Sequence, residues 1–200
     1  MRHTSNILAG LFSLGGQPDK AIIEDLIHFD EQFINYSFEG VPDIRIIVFR
    51  GFPVMAMMRL STATSDGKAN LHQGAVGVGV DIATGEASHA VQFDRPVTHH
   101  PDTEMPLSEI RIPDWPELLY MAAHCYEMSG LGYLGVDIVL DARKGPMLLE
   151  LNARPGLAIQ IANHQGLSHR LRDVSALDAQ ALSPDQRVAF VQQHFQATTV

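Results

Sequence analysis

The sequence has little cysteine, little lysine and no long apolar run, and each shortage excludes a class of protein. Its single cysteine, Cys125, excludes an internal disulfide framework and a multi-cysteine metal site, and it suits a reducing cytoplasm. Only three of its 14 basic residues are lysines, and a net charge of −9 without a basic run disfavours nucleic-acid binding. No apolar stretch approaches the ~18 residues of a membrane span, and the N-terminal apolar run is too short and glycine-broken for a signal peptide. We therefore expect a cytoplasmic protein that binds neither nucleic acid nor membrane.

What is present is a globular composition, with 46 % hydrophobic and 18 % charged residues in a chain of 200. This length makes one domain, or a large piece of one, with a sizeable core. The first third of the chain is expected to be β-structure with loops, and residues 20–27 to be either a strand or an extended linker. Apolar runs separated by glycine-containing turns predict three antiparallel hairpins, formed by residues 44–50 with 54–60, 76–82 with 86–93, and 133–140 with 146–152.

Capping patterns predict the helices. Asp114 is placed as the N-cap of a helix that Gly130 ends, and Cys125 lies on its apolar stripe as a core residue. A short helix is expected near residues 157–163, and Ser183-Pro184-Asp185-Gln186 forms a capping box that starts the last helix. The predicted class is α+β, with a mostly antiparallel sheet and flanking helices.

One proline-rich stretch, residues 94–112, is interpreted as an exposed connector. The pair His99-His100 lies within it and has no spaced partner in the sequence. We therefore expect both histidines in a solvated loop.

The third hairpin carries the chemistry. If its arms pair around residues 142–145, Asp137 faces Glu150, and Asn152 projects from the same face. The same register pairs Leu140 with Met147 and Ile138 with Leu149. Opposed carboxylates repel each other and lose hydration on a half-buried surface, and a divalent cation removes both problems. An all-oxygen donor set is what Mg²⁺ prefers, and Mg²⁺ commonly binds substrate phosphates as well. The alternative is two exposed carboxylates that happen to align.

This stretch resembles a known family. Asp137, thirteen residues before Glu150, followed by Asn152 in Glu-Leu-Asn-Ala-Arg-Pro-Gly, resembles the metal-binding signature of the ATP-grasp ligases. The likeness is to the α-L-glutamate ligase-like (RimK-type) branch and runs over residues 5–170. Three further segments fit that branch: Asp43-Ile44-Arg45, Met58-Arg59-Leu60 and Asn70-Leu71-His72-Gln73-Gly74-Ala75.

The resemblance implies an ATP-driven ligase that joins a carboxylate to an amine through an acyl phosphate. Two Mg²⁺ ions, with Mn²⁺ as an alternative, would bridge the ATP phosphates and be held by Asp137, Glu150 and Asn152. The substrates would be a small amino acid and a carboxylate donor that is a peptide, a protein or a small molecule. The sequence is also compatible with a homo-oligomer.

The resemblance further implies an adenine-binding hinge at Ile23-Glu24-Asp25-Leu26. Glu24 would accept from the exocyclic amine, and backbone groups near Leu26 and Ile27 would complete the contact. Either Asp30 or Glu31 would reach the ribose hydroxyls. The alternative for Glu24 is a solvated strand-end acid.

Three arginines are candidates for binding an acyl phosphate or the carboxylate of an amino acid. Arg45 and Arg59 lie on the two arms of one hairpin, and Arg154 follows the metal ligands. Arg154 has the parity of Glu150 and Asn152, so it should project to the same patch if the strand stays regular that far. Phosphoryl transfer depends on positioning and charge neutralisation, which a guanidinium fork suits. The alternative is that all three are surface arginines.

A glycine-flanked segment supplies further candidates. Lys68 and Asn70 are placed to reach the γ-phosphate or the substrate, with solvated loop positions as the alternative. His72 is a lone histidine, which is more often structural than functional.

The resemblance divides the chain into a lid remnant at residues 1–23, an ATP-grasp C-terminal catalytic domain at 24–172 and a helical tail at 173–200. Few residues precede the hinge. Apart from Lys20 beside the hinge, they contain no lysine and no phosphate-cradling glycine loop, although the short pair Gly15-Gly16 resembles the end of a lid. We therefore expect either a truncated ligase or one completed by a separate chain. The alternative function is a non-catalytic metal or nucleotide-binding module.

Overall fold

A seven-stranded sheet, antiparallel in every pairing, carries the fold. The computed structural model describes residues 2–196. The strands lie in the order β5-β4-β3-β2-β1-β6-β7. They are β1 (Asp43–Phe49), β2 (Phe52–Leu60), β3 (Val76–Val80), β4 (Ala87–Gln92), β5 (Arg95–Pro96), β6 (Tyr133–Asp141) and β7 (Gly145–Asn152). This confirms the predicted α+β class and its three hairpins.

Helices cover both faces of the sheet. They are α1 (Arg2–Leu8), α2 (Trp115–Ser129), α3 (Ala158–Ala162), α4 (Ser168–Ser175) and α5 (Pro184–His194). The long helices α2 and α5 pack on each other and on β2, over the apolar side chains of the core. The short α3 lies on the opposite face, against β2, β3 and β4. Among residues 2–196, no helix is both long enough and apolar enough to cross a bilayer.

Several local predictions are confirmed. Helix α2 begins after Asp114 and ends at Gly130, and Cys125 on its stripe is buried. Asp114 itself has a left-handed backbone, and its side chain makes no capping bond. Ser183 and Gln186 form the full capping box at the start of α5.

Three predictions about the fold are wrong in whole or in part, and α4 was not predicted. The first residues form α1 rather than β-structure. The segment 94–112 is not an exposed connector, because Leu107 and Ile110 are buried and Ile110 O accepts a hydrogen bond from the N–H of Ala87, the first residue of β4. His100 is fully buried, with its Nε2 3.0 Å from Ser61 O, whereas its neighbour His99 stays exposed as predicted. The apolar side chains of the segment draw it onto the sheet and carry His100 inside.

Candidate active site

The face of the sheet opposite α2 and α5 carries a line of charged side chains. The strand period of two puts Asp43 and Arg45 of β1 on one face. Pairing then sets Arg59 opposite Asp43, Asp137 opposite Arg45, and Glu150 opposite Asp137. Residues far apart in sequence therefore meet on four adjacent strands.

Asp137 is the centre of this array and is only 1 % exposed. Arg45 donates from Nε to Asp137 Oδ1 at 2.7 Å and from Nη2 to Oδ2 at 2.6 Å. Arg59 donates from Nη2 to the same Oδ2 at 2.8 Å and binds Asp43 through both Nε and Nη2. The structure thus brings two of the three predicted catalytic arginines together, and their role in catalysis stays a prediction.

Burial and ion pairing act against each other on these groups. Desolvation would raise the pKa of Asp137, but the hydrogen bond from Arg45 and the charges of both arginines hold that pKa below its usual range. For Asp43 desolvation wins and raises the pKa to about 6, against the pull of Arg59. Desolvation would lower the pKa of Arg59, but its pairs with Asp43 and Asp137 raise it, so the guanidinium stays protonated.

The predicted metal ligands lie beside this array. Asn152 Nδ2 donates to Glu150 Oε1 at 2.8 Å and to Asp137 Oδ2 at 3.4 Å. The Glu150 side chain is 61 % exposed, and its Oε1 lies 3.9 Å from Arg45 Nη2. The described residues contain no group of three or more His, Cys, Asp or Glu side chains that could hold a metal ion.

The oxygen donors of Asp137, Glu150 and Asn152 suit a hard cation, but they form only part of a coordination shell. Asp137 Oδ2 already accepts from three nitrogens, so Glu150 is the ligand most open to solvent. Two carboxylates and one amide leave an incomplete set, which suits Mg²⁺ because it usually keeps waters and binds phosphate oxygens. That these residues bind a metal stays a prediction.

The register of this hairpin explains why the ligands meet. Asp137 pairs with Glu150 as predicted, but Ile138 pairs with Leu148 and Leu140 with Pro146. The two other predicted pairs are therefore wrong. Strand β7 has a bulge at Leu149, and this bulge restores the predicted register where Asp137 pairs with Glu150.

A cleft of about 240 Å³ opens beside the arginines. Two glycines of β3 allow Leu71 and helix α3, which form one side of the cleft, to pack close to the sheet. A Cβ on Gly77 would lie 2.8 Å from the Leu71 side chain, and one on Gly79 would lie 2.5 Å from Ala162 O in α3. The lining residues are Arg45, Met57, Arg59, Ala69, Asn70, Leu71, His72, Gly156 and Ala158.

The segment before β3 contributes unequally to this cleft. Asn70 and His72 line it, and Asn70 Oδ1 accepts from His72 N at 3.0 Å. Lys68 is not among the lining residues, and its Nζ lies 3.4 Å from the exposed Asp66 carboxylate. Contact of Lys68 or Asn70 with nucleotide stays a prediction.

Arg154 lies beyond the regular part of β7, so it does not project to the patch of Glu150 and Asn152 by strand alternation. Strand β7 ends at Asn152, and the chain bends at Ala153-Arg154. A Cβ on Gly135 would lie 2.7 Å from Pro155, so the turn after the strand packs closely on β6. The regular-strand argument for Arg154 is therefore wrong. Its side chain is exposed and has no hydrogen bond or ion pair to any residue from 2 to 196.

The residues that follow the predicted hinge are hydrogen-bonded to the end of β6. Asp141 accepts hydrogen bonds from the backbone N–H groups of His28, Arg143 and Lys144, each at 2.9 Å. These bonds, that of His28 first, hold the pKa of Asp141 below its usual range. Asp30 N donates to Leu140 O, and Ala142 N donates to His28 O. Sequence reasoning missed this anchor, although Asp-Ala-Arg-Lys-Gly after a strand is typical of an Asx turn.

A second cavity of about 500 Å³ lies beside this anchor, and Leu26, Ile27 and Glu31 line it. Asp30 turns away, since its Oδ1 caps the following 3₁₀ turn by accepting from Gln32 N. Residues 20–27 are neither helix nor strand, which agrees with the extended-linker alternative. Glu24 is exposed and is not among the lining residues, so its contact with adenine stays a prediction.

The fold and the signature residues define an ATP-grasp domain, and comparison with known proteins supports this class. Residues 1–176 match the family described as sugar-transfer associated ATP-grasp, and the chain belongs to that family. Among curated proteins no match is found.

Two solved structures are similar to part of the chain. They are the ATP-grasp ligase PsnB complexed with minimal precursor, and PsnB complexed with a phosphomimetic variant of minimal precursor, Mg and ADP. Each is 19 % identical with a TM-score of 0.39, and each match covers 68 % of this chain and 33 % of that chain. The chain thus spans about a third of the length of these ligases.

Proposed function

We propose that this chain carries the catalytic domain of an ATP-dependent ligase that joins a carboxylate to an amine through an acyl phosphate. The observation that carries the proposal is the Asp137-centred array of Arg45 and Arg59, with Glu150 and Asn152 beside it. Membership of an ATP-grasp family supports ATP as the co-substrate.

The chain's own residues suit the charge that this reaction develops. A carboxylate oxygen attacks the γ-phosphorus, ADP leaves, and the acyl phosphate carries its charge into the cleft. Arg45 and Arg59 line that cleft, and their guanidiniums are held by Asp137 and Asp43, so they need little reorganisation. A single preorganised donor of this kind is typically worth roughly 3–4 kcal/mol in the transition state.

Glu150 and Asn152, with Asp137 behind them, would hold Mg²⁺ or Mn²⁺. When bound, the ion would neutralise charge on the phosphates. At the adenine end of the nucleotide, backbone groups near Leu26 and Ile27 would contact the base. Glu31 suits the ribose better than Asp30, because Asp30 is engaged as a cap.

The finer assignment to the glutamate ligase-like branch is part of the proposal. It takes an amino acid such as L-glutamate as the amine and a peptide, protein or small molecule as the carboxylate donor, in the cytoplasm. The family's description associates it with sugar transfer, so we include sugar acids among the carboxylates to be assayed.

Hydroxylamine, which traps acyl phosphates as hydroxamates, provides the test. The purified chain is incubated with ATP, Mg²⁺ and hydroxylamine, and with D-glucuronate, D-galacturonate, succinate or N-acetyl-L-glutamate in turn. We expect ADP and hydroxamate in equal amounts with at least one carboxylate, and at least a tenfold loss in Glu150→Gln. Glu109→Gln, an exposed acid outside the cleft, serves as the matched control.

A different result would favour the alternative function, a non-catalytic metal or nucleotide-binding module. Nucleotide binding in calorimetry without ADP release on any carboxylate would favour the non-catalytic module. One observation favours that second candidate, because Lys68 and Glu24 lie exposed outside the two cavities.

A further inference from the structure

We propose that His72 is a catalytic residue that takes the proton from the ammonium form of the amine substrate. The inference rests on the proposed ligase function and adds the base that this function requires. An amine must lose its extra proton before its lone pair can attack an acyl phosphate.

Among residues 2–196, those that line the cleft include one group suited to this task. The lining contains two guanidiniums, one amide and one imidazole, and no carboxylate. Guanidinium does not give up its proton in proteins, and an amide is not a base. Imidazole is the side chain that commonly exchanges a proton near neutral pH. His72 is therefore the base available among the residues that line the cleft.

The surroundings of His72 suit a general base and differ from those of a histidine buried in the core. The residue is exposed, and its ring makes no hydrogen bond or ion pair within residues 2–196. The charged residues that line the cleft together with His72 are Arg45 of β1 and Arg59 of β2. The turn after β7 and helix α3 contribute only Gly156 and Ala158, which carry no charge.

The local backbone fixes the position of His72 at the edge of the cleft. His72 lies in a 3₁₀ turn, Leu71–Gln73, and its own N–H donates to Asn70 Oδ1 at 3.0 Å, which caps the start of the turn. Gly74 N donates to Leu71 O, and Leu71 packs where Gly77 leaves room on β3. A base must be held near the proton that it abstracts, and this turn places His72 in the lining of the cleft that Arg45 and Arg59 also line.

The step balances without a further reagent. An N–H proton of the substrate ammonium passes to an imidazole nitrogen of His72 and leaves the free amine. The amine lone pair then forms the C–N bond at the acyl carbon. The bond between that carbon and the bridging oxygen breaks, and its electron pair leaves with the phosphate. The second N–H proton leaves with the phosphate, and the imidazolium returns its proton to water.

A comparison of two nucleophiles tests the role. L-Glutamate enters as an ammonium, whereas hydroxylamine is already unprotonated near neutral pH and needs no base to release its lone pair. We expect His72→Gln to lower amide formation with L-glutamate by ~100-fold or more, the lower end of general-base effects. Hydroxamate formation by the same variant should stay within twofold of wild type, which also shows that it is folded.

The control is His99→Gln, an exposed histidine outside the cleft, and it should leave both rates unchanged. An equal fall of both rates in His72→Gln, or no fall in either, overturns the assignment. If wild type forms no hydroxamate with any carboxylate, the ligase proposal itself fails and the role of His72 fails with it.

Discussion

Replacing Asp137 by asparagine tests the physical basis of the site, the sharing of one buried carboxylate by two guanidiniums. Asparagine keeps the volume and one acceptor oxygen but removes the charge, and its amide N–H₂ would face the arginine N–H groups. The side chains of Arg45 and Arg59 are each 13 % exposed, so water replaces the lost anion poorly. Arg59 keeps its pair with Asp43, and Arg45 keeps the exposed Glu150, whose Oε1 lies 3.9 Å from its Nη2.

Breaking a buried ion pair by removing one partner typically costs about 3–5 kcal/mol. Because Arg59 keeps its second anchor, we expect Asp137→Asn to lose about 3 kcal/mol in urea-induced unfolding at neutral pH. The matched control is Asp66→Asn, whose side chain is 91 % exposed and pairs loosely with Lys68. It should change stability by less than ~0.5 kcal/mol. A loss below about 1 kcal/mol for Asp137→Asn would show that the array is not held by charge.

Three further predictions follow from single features of the fold. With ATP present, Glu150→Gln should weaken Mg²⁺ binding at least tenfold in calorimetry, or ~1.4 kcal/mol, and unchanged affinity would remove Glu150 from the ligand set. Gly79→Ala should cost about 1–3 kcal/mol by overpacking against Ala162 O, whereas Gly132→Ala, which meets nothing within 4 Å, should stay within ~0.5 kcal/mol; equal melting temperatures would refute the close packing. The folded state raises the pKa of Asp43 to about 6, so it binds more protons than the unfolded state from about pH 4 to 6, and the stability contribution of Asp43 falls as pH rises through that window. Asp43→Asn should therefore gain stability relative to wild type as pH rises from 4 to 7 in urea titrations, and a constant difference would contradict the raised pKa.

The sequence predicted those parts of the site that depend on short-range periodicity. Strand alternation and an assumed loop set Asp137 opposite Glu150 and put Asn152 on the same face. The loop register itself was wrong by one residue, and the bulge at Leu149 compensates for that error at Asp137 and Glu150. The bulge at Leu149 was not visible, because it depends on how the glycine turn at the loop closes.

What the sequence could not predict depends on contacts between distant segments. The burial of His100 follows from the packing of the 94–112 segment next to β4, which no local pattern encodes. The bend that exposes Arg154 follows from the packing of Pro155 on Gly135, 20 residues earlier in the chain. The placement of His72 in the cleft needed the glycines of β3, whose role appears only when the sheet is assembled.

The fate of the carboxylate oxygen tests the central claim most directly. A carboxylate that supports turnover is labelled with ¹⁸O and converted by the chain with ATP, Mg²⁺ and hydroxylamine, and the phosphate released is analysed by mass spectrometry. An acyl phosphate requires one labelled oxygen to leave the carboxylate and appear in inorganic phosphate at each turnover. Unlabelled phosphate, or label found in AMP, would contradict the account.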